Sequence, residues 1–138
     1  MKTVILYYSY SGHTKKVAEK LAHTQNADLV EIKPVKETRG ALAYLVGCPR
    51  AMRRKAVPIE PIAQDLSTYD MITLAAPVWA SHPAPPFNAA VKLLPKGKNV
   101  QVVLVSGGGE TNKSEKGTRK LIKQQGCTVV AYKDVKQL

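Results

Sequence analysis

Thr3-Val4-Ile5-Leu6-Tyr7-Tyr8-Ser9-Tyr10-Ser11-Gly12-His13-Thr14-Lys15-Lys16-Val17-Ala18 passes from an apolar run through a hydroxyl-rich turn into a helical pattern that continues to Leu21 and Ala22. Strand, turn, helix start is in physical terms an anion site. The first backbone N–H groups of a helix lack internal partners, and the helix dipole favours negative charge there. Ser9, Ser11 and Thr14 add hydroxyls, and Gly12 lets the chain turn tightly. The turn is neither a Walker A loop nor the three-glycine dinucleotide fingerprint, so the anion it would hold is a phosphate of another kind of ligand.

Outward from that turn, composition bounds the rest. At 138 residues the chain is expected to form a single domain over 1–138, with a core large enough to need no staples. No run approaches the roughly 18 apolar residues of a membrane span, and the first strand begins too early for a signal peptide, so a cytoplasmic protein without a membrane partner is expected. Cys48 and Cys127 lack metal-ligand spacing and are expected as free, buried thiols. His13, His23 and His82 form no metal motif. The formal net charge is +11, with clusters at Arg50, Arg53, Arg54, Lys55 and along Lys113 to Lys123, so anions should be attracted. No aromatic platform is interleaved with these charges, and nucleic acid is not the expected partner.

Five apolar runs, Thr3–Tyr8, Ala27–Ile32, Asp70–Ala76, Asn99–Ser106 and Cys127–Tyr132, alternate with helical or irregular stretches. Val100-Gln101-Val102-Val103-Leu104-Val105 is nearly continuous in apolar residues, as in a strand covered on both faces. Helices are expected around 15–22, after Pro86, and from Ser114 to Gln125, where Gly126 suits the C′ position. Segment 33–69 is less regular, with a helical pattern in Gly40–Val46 and an extended, proline-broken stretch at Val57–Pro61. The alternation specifies an α/β fold, an open, doubly wound, five-stranded parallel sheet.

If the strand order is 2-1-3-4-5, ligands bind beyond the carboxyl ends of strands 1, 3 and 4. The loops there carry the matching residues. After strand 3, Pro77-Val78-Trp79-Ala80 begins a proline-rigid loop holding the one tryptophan, a planar surface suited to a flat ring. After strand 4, Ser106-Gly107-Gly108-Gly109 leaves backbone groups open to a ring edge.

The Ser-x-Ser-Gly-x-Thr spacing of residues 9–14 resembles the phosphate loop of the flavodoxin family. The Pro-Val-Trp loop at 77–79 is similar to that of one flavodoxin subgroup, as are Gly40–Leu45 and Tyr69-Asp70. The resemblance spans most of the chain and implies a flavodoxin-like fold, noncovalent FMN and electron transfer. It implies that Ser9, Ser11, Gly12 and Thr14 hold the phosphate, with backbone N–H groups from Tyr10 and His13. Pro77, Val78, Trp79 and Ala80 would border the flavin ring, and Ser106, Gly107, Gly108 and Gly109 its other edge.

Two departures from the family pattern carry expectations. Flavodoxins usually end in a helix after the fifth strand, whereas only Lys133–Leu138 follows Tyr132 here, too short for a stable helix. With that C-terminal helix missing, apolar residues of strands 3 to 5 would meet water, which predicts a homodimer through the open sheet face. Typical flavodoxins are also acidic. A chain of charge +11 should ease formation of the negatively charged reduced flavin and favour an acidic redox partner protein or an anionic substrate. Two other functions stay open: an NAD(P)H-dependent FMN or quinone reductase on the same site, with His82 as a proton donor, and a flavin-free interaction module.

Overall fold

The β-branched and aliphatic runs do form the strands, because only a sheet covered on both faces can bury residues pointing alternately to opposite sides. The structure is a computed structural model that describes residues 2–37, 40–108 and 110–137. In chain order it contains β1 (Thr3–Tyr7), α1 (His13–Gln25), β2 (Asp28–Glu31), α2 (Ala41–Met52), a 3₁₀ turn (Leu66–Thr68), β3 (Met71–Trp79), β4 (His82–Pro83), α3 (Pro85–Lys92), β5 (Asn99–Ser106), α4 (Asn112–Gln124) and β6 (Thr128–Lys136). The main strands run parallel in the order β2-β1-β3-β5-β6, with β4 folded back antiparallel on β3. Apart from the two-residue β4, this is the expected 2-1-3-4-5 arrangement.

Alternation along the strands sorts the core into two halves. Val4, Leu6, Ile72, Leu74, Val100, Val102 and Leu104 face Ala51 of α2, Phe87 and Val91 of α3, and Ile122 of α4. Ile5, Tyr7, Ala75, Val103 and Val105 face Val17 and Ala18 of α1. Ile5, Leu6 and Phe87 are at most 1% exposed, and each such side chain contributes about 1.5–3 kcal/mol of transfer free energy.

The expectation of a broad apolar face left open on strands 3 to 5 is corrected here. α1 closes that side of β3 and β5, where Thr73, Ala75, Gln101, Val103 and Val105 are all buried. On the same side of β6, Lys133 is exposed while Ala131 and Val135 are half-buried, and the expected homodimer would have to form on that narrow strip. Among the described residues β6 continues four residues past Tyr132, and Gln137 N–H donates to the Ser106 carbonyl at 3.0 Å. Strand 3 also overruns its expected end, so Pro77, Val78 and Trp79 belong to a strand rather than a loop. Within the irregular segment, the helical pattern expected over Gly40–Val46 runs on as α2 to Met52, and Pro34 and Ile59 form an isolated bridge.

Candidate cofactor site

The strand register gathers the expected loops. Tyr7 lies opposite Ala75, and Pro77 opposite Val105, so the segments after β1, β3 and β5 leave the sheet side by side at its carboxyl edge. This is the switch point of a doubly wound sheet.

The first segment is a cradle of hydrogen-bond donors. Ser9 Oγ accepts from Gly12 N–H and Lys15 N–H, both at 3.1 Å, which closes the loop on the start of α1. Gly12 sits at the N-cap with φ +97°, a conformation that costs other residues strain, and a Cβ there would meet nothing within 4 Å. The N–H groups of His13 and Thr14 have no carbonyl four residues back and emerge at the helix end. No acidic residue lies in this first turn, and Lys15 and Lys16 are exposed beside it. Thr14 is 1% exposed, and His13 Nδ1 is buried without a hydrogen-bond partner. Ser11 is exposed at the loop's tip. A donor set with no carboxylate and an orphaned ring nitrogen fits an anion.

The second segment is a hairpin. Val78 pairs with Pro83 and Trp79 with His82 around a two-residue turn, Ala80-Ser81, with φ of +51° and +63°. Two positive φ values are what a two-residue hairpin turn demands, and non-glycine residues adopt them under strain. His82 Nδ1 lies 2.7 Å from the Ala80 carbonyl, which can only accept, so the ring braces the turn. Trp79 is 8% exposed and thus offers little open face for stacking. Its ring is packed edge-on by Tyr8, Tyr10 and Tyr44 at centroid distances of 6.2, 5.7 and 5.5 Å. α2 presses on it so closely that a Cβ on Gly47 would collide with the indole. Tyr10 meanwhile is tied to the scaffold through its hydroxyl: its Oη accepts from Gly40 N–H at 2.8 Å. The aromatic wall therefore ties the phosphate-type loop to the hairpin and to α2.

The third segment begins at Ser106. Gly107 and Gly108 are exposed; a Cβ on Gly107 would lie 3.8 Å from Gln137 Oε1, one on Gly108 would meet nothing within 4 Å, and Gly109 lies outside the described residues. The loop is fastened at its far end by residues the sequence reading passed over. Asp134 accepts from Thr111 N–H at 3.0 Å and from Thr111 Oγ1 at 2.6 Å, and Tyr132 Oη lies 2.6 Å from the same hydroxyl. The Arg119 guanidinium caps the Tyr132 ring at 5.3 Å. Burial is the main cause that raises the Tyr132 pKa above its ordinary value, although its bond with Thr111 acts the other way. The signal for this clamp was present in the alternation of Tyr132 and Asp134 with Lys133 and Val135. Its partner, Thr111, is far away in sequence. Cys127 is buried and donates to the Pro95 carbonyl, whereas Cys48, expected buried, is half-buried; both are free. The described residues contain no group of side chains suited to a metal ion and no helix long and apolar enough to cross a membrane.

A flavodoxin family model matches residues 2–138. The chain belongs to the flavodoxin family. A flavoprotein from Lactobacillus acidophilus, solved in complex with FMN, is 27% identical with a TM-score of 0.79, covering 99% of this chain and 93% of its own. The apo form of the flavoprotein from that organism superposes with a TM-score of 0.72 at 27% identity, over 96% of this chain and 92% of the other. The oxidised flavodoxin 1 of Bacillus cereus shares the fold, with a TM-score of 0.61 at 19% identity over 99% and 85% of the two chains. Comparison with curated protein sequences gives no match. In this chain Asp134 of the carboxyl-terminal strand holds Thr111, at the start of α4.

Proposed function

We propose that this chain binds FMN noncovalently and serves as an electron-transfer protein. The observation that carries the reading is the donor cradle at the start of α1, where Gly12 turns with positive φ and His13 Nδ1 is buried without a partner. A similar flavoprotein holds FMN, and the chains match over almost their full lengths. Bound FMN would supply reversible electron uptake. The chain's own residues do the rest: Ser9, Ser11, Gly12, His13 and Thr14 hold the phosphate, and the hairpin at Pro77–Ala80 and the loop at Ser106–Gly108 border the ring. No side chain in these segments is set up as a nucleophile, and His82 is engaged in bracing its turn. The charge of +11 favours an acidic partner protein.

Titration of the purified chain with FMN, followed by flavin absorbance, tests the reading. Saturable one-to-one binding, with negligible NADPH oxidation in the presence of a quinone, supports a carrier. Rapid NADPH turnover would replace the carrier with a reductase. A chain that stays colourless would leave only an interaction module.

A further inference from the structure

Helix α2 is apolar on both sides, which a surface helix does not need. Its inner side uses small residues, Ala43, Gly47 and Ala51, to lie flat on Trp79 and the sheet. Its outer side exposes Leu42 (54%), Leu45 (73%) and Met52 (57%), with Pro49 exposed between them. Positions 42, 45, 49 and 52 form one stripe along a helix. Tyr44, 46% exposed, stands at its edge with its ring against both Tyr10 and Trp79. Scattered surface leucines need no explanation, but a contiguous stripe on one helix does.

Charge says what covers the stripe. No carboxylate occurs from residue 41 to 57, while Arg50, Arg53 and Lys55 are exposed at the helix's carboxyl end. The fourth cation, Arg54, is occupied: its guanidinium donates to Thr118 Oγ1 at 2.9 Å and to the Ser114 carbonyl at 2.8 Å, over Gly117. That bond pins the end of α2 to α4, beside which Arg50, Arg53 and Lys55 stay exposed. A second copy of this chain would bring the same cations against one another, and like charges across an interface are strongly disfavoured. An apolar centre with a basic rim fits a partner with an apolar centre and an acidic rim.

We propose that the outer face of α2 is the docking surface for an acidic electron-carrier protein, which would then sit one aromatic ring, Tyr44, from Trp79. This rests on the electron-transfer reading above and names the surface it uses. Charge on the rim acts chiefly on the encounter rate and on its salt dependence, and the apolar centre on residence.

The test uses the FMN-loaded chain and a photoreduced acidic [2Fe–2S] ferredoxin as the probe, with flavin reduction followed by stopped flow at several ionic strengths. The variants are Leu45→Glu, the pair Arg50→Glu/Arg53→Glu, and a control pair on α4, Lys120→Glu/Lys123→Glu, whose positions are also exposed. The expected result is a rate that falls with salt, drops about tenfold or more in both α2 variants, and changes less than about threefold in the control. Binding of the same oxidised ferredoxin to the apo chain, mapped by amide chemical shifts, should perturb α2 residues and not α4. Equal losses in the α2 and α4 variants, or shifts away from α2, would overturn the proposal. So would binding of the chain to phosphatidylglycerol vesicles that Leu45→Glu abolishes, which would assign the face to a membrane. Thermal unfolding confirms that each variant folds. Failure to bind FMN at all would instead remove the electron-transfer reading, which the apo-chain mapping does not depend on.

Discussion

Gly12 and the pair Ala80-Ser81 show how single backbone positions shape the site. Gly12 has open space around its absent Cβ, so Gly12→Ala would add no clash, only the strain of an L-residue at φ +97°. That strain is about 1–2 kcal/mol. We expect FMN affinity to fall by about tenfold, read by fluorescence quenching, since 1.4 kcal/mol is one decade. At the hairpin the logic reverses, because strain is present already. Ala80→Gly should raise unfolding stability by about 1 kcal/mol in denaturant titrations, and an unchanged or lower midpoint would show that the turn is not strained. The glycine was legible in the sequence as a tight turn. The strained alanine and serine were not, because nothing in Pro77-Val78-Trp79-Ala80-Ser81 signals that the strand continues and folds back.

At the scale of elements, the strands and their order were readable because parallel, doubly covered strands leave near-continuous apolar runs. The helix starts and ends were readable from Pro86 and Gly126, to within a few residues. The last strand was misjudged at its end, since Lys133-Asp134-Val135-Lys136 looks polar until Asp134 is seen bonded to Thr111. Asp134→Ala would leave the Thr111 N–H and hydroxyl short of acceptors at a site 1% exposed. We expect a loss of about 2 kcal/mol in stability and faster amide exchange at Gly107, Gly108 and Thr111. Tyr132 in the same cluster gives a pH signature. Its folded-state pKa is raised, so its contribution is fully present below about pH 10, the unfolded value, and is lost as pH climbs through the folded one. Tyr132→Phe should therefore blunt the alkaline loss of stability in pH-dependent melts.

For the whole molecule, the two notable properties are the excess of positive charge and the covering of β3 and β5 on one sheet face by α1. The charge acts on the site from a distance, so salt should weaken it, with a screening length of about 10 Å at 0.1 M. Cations stabilise a negatively charged reduced flavin, and the midpoint potential of bound FMN should become more negative as salt rises. A salt-insensitive potential would mean that the surface charge serves association and not the flavin. If the turn Ser9–Thr14 holds the phosphate of FMN, the chain should separate FMN sharply from riboflavin. Parallel calorimetric titrations of the purified chain with FMN and with riboflavin, which differ only in that phosphate, measure the difference. FMN should bind at least about 100-fold more tightly, a difference of about 2.7 kcal/mol. Equal affinities for the two, or no binding of either, would contradict it.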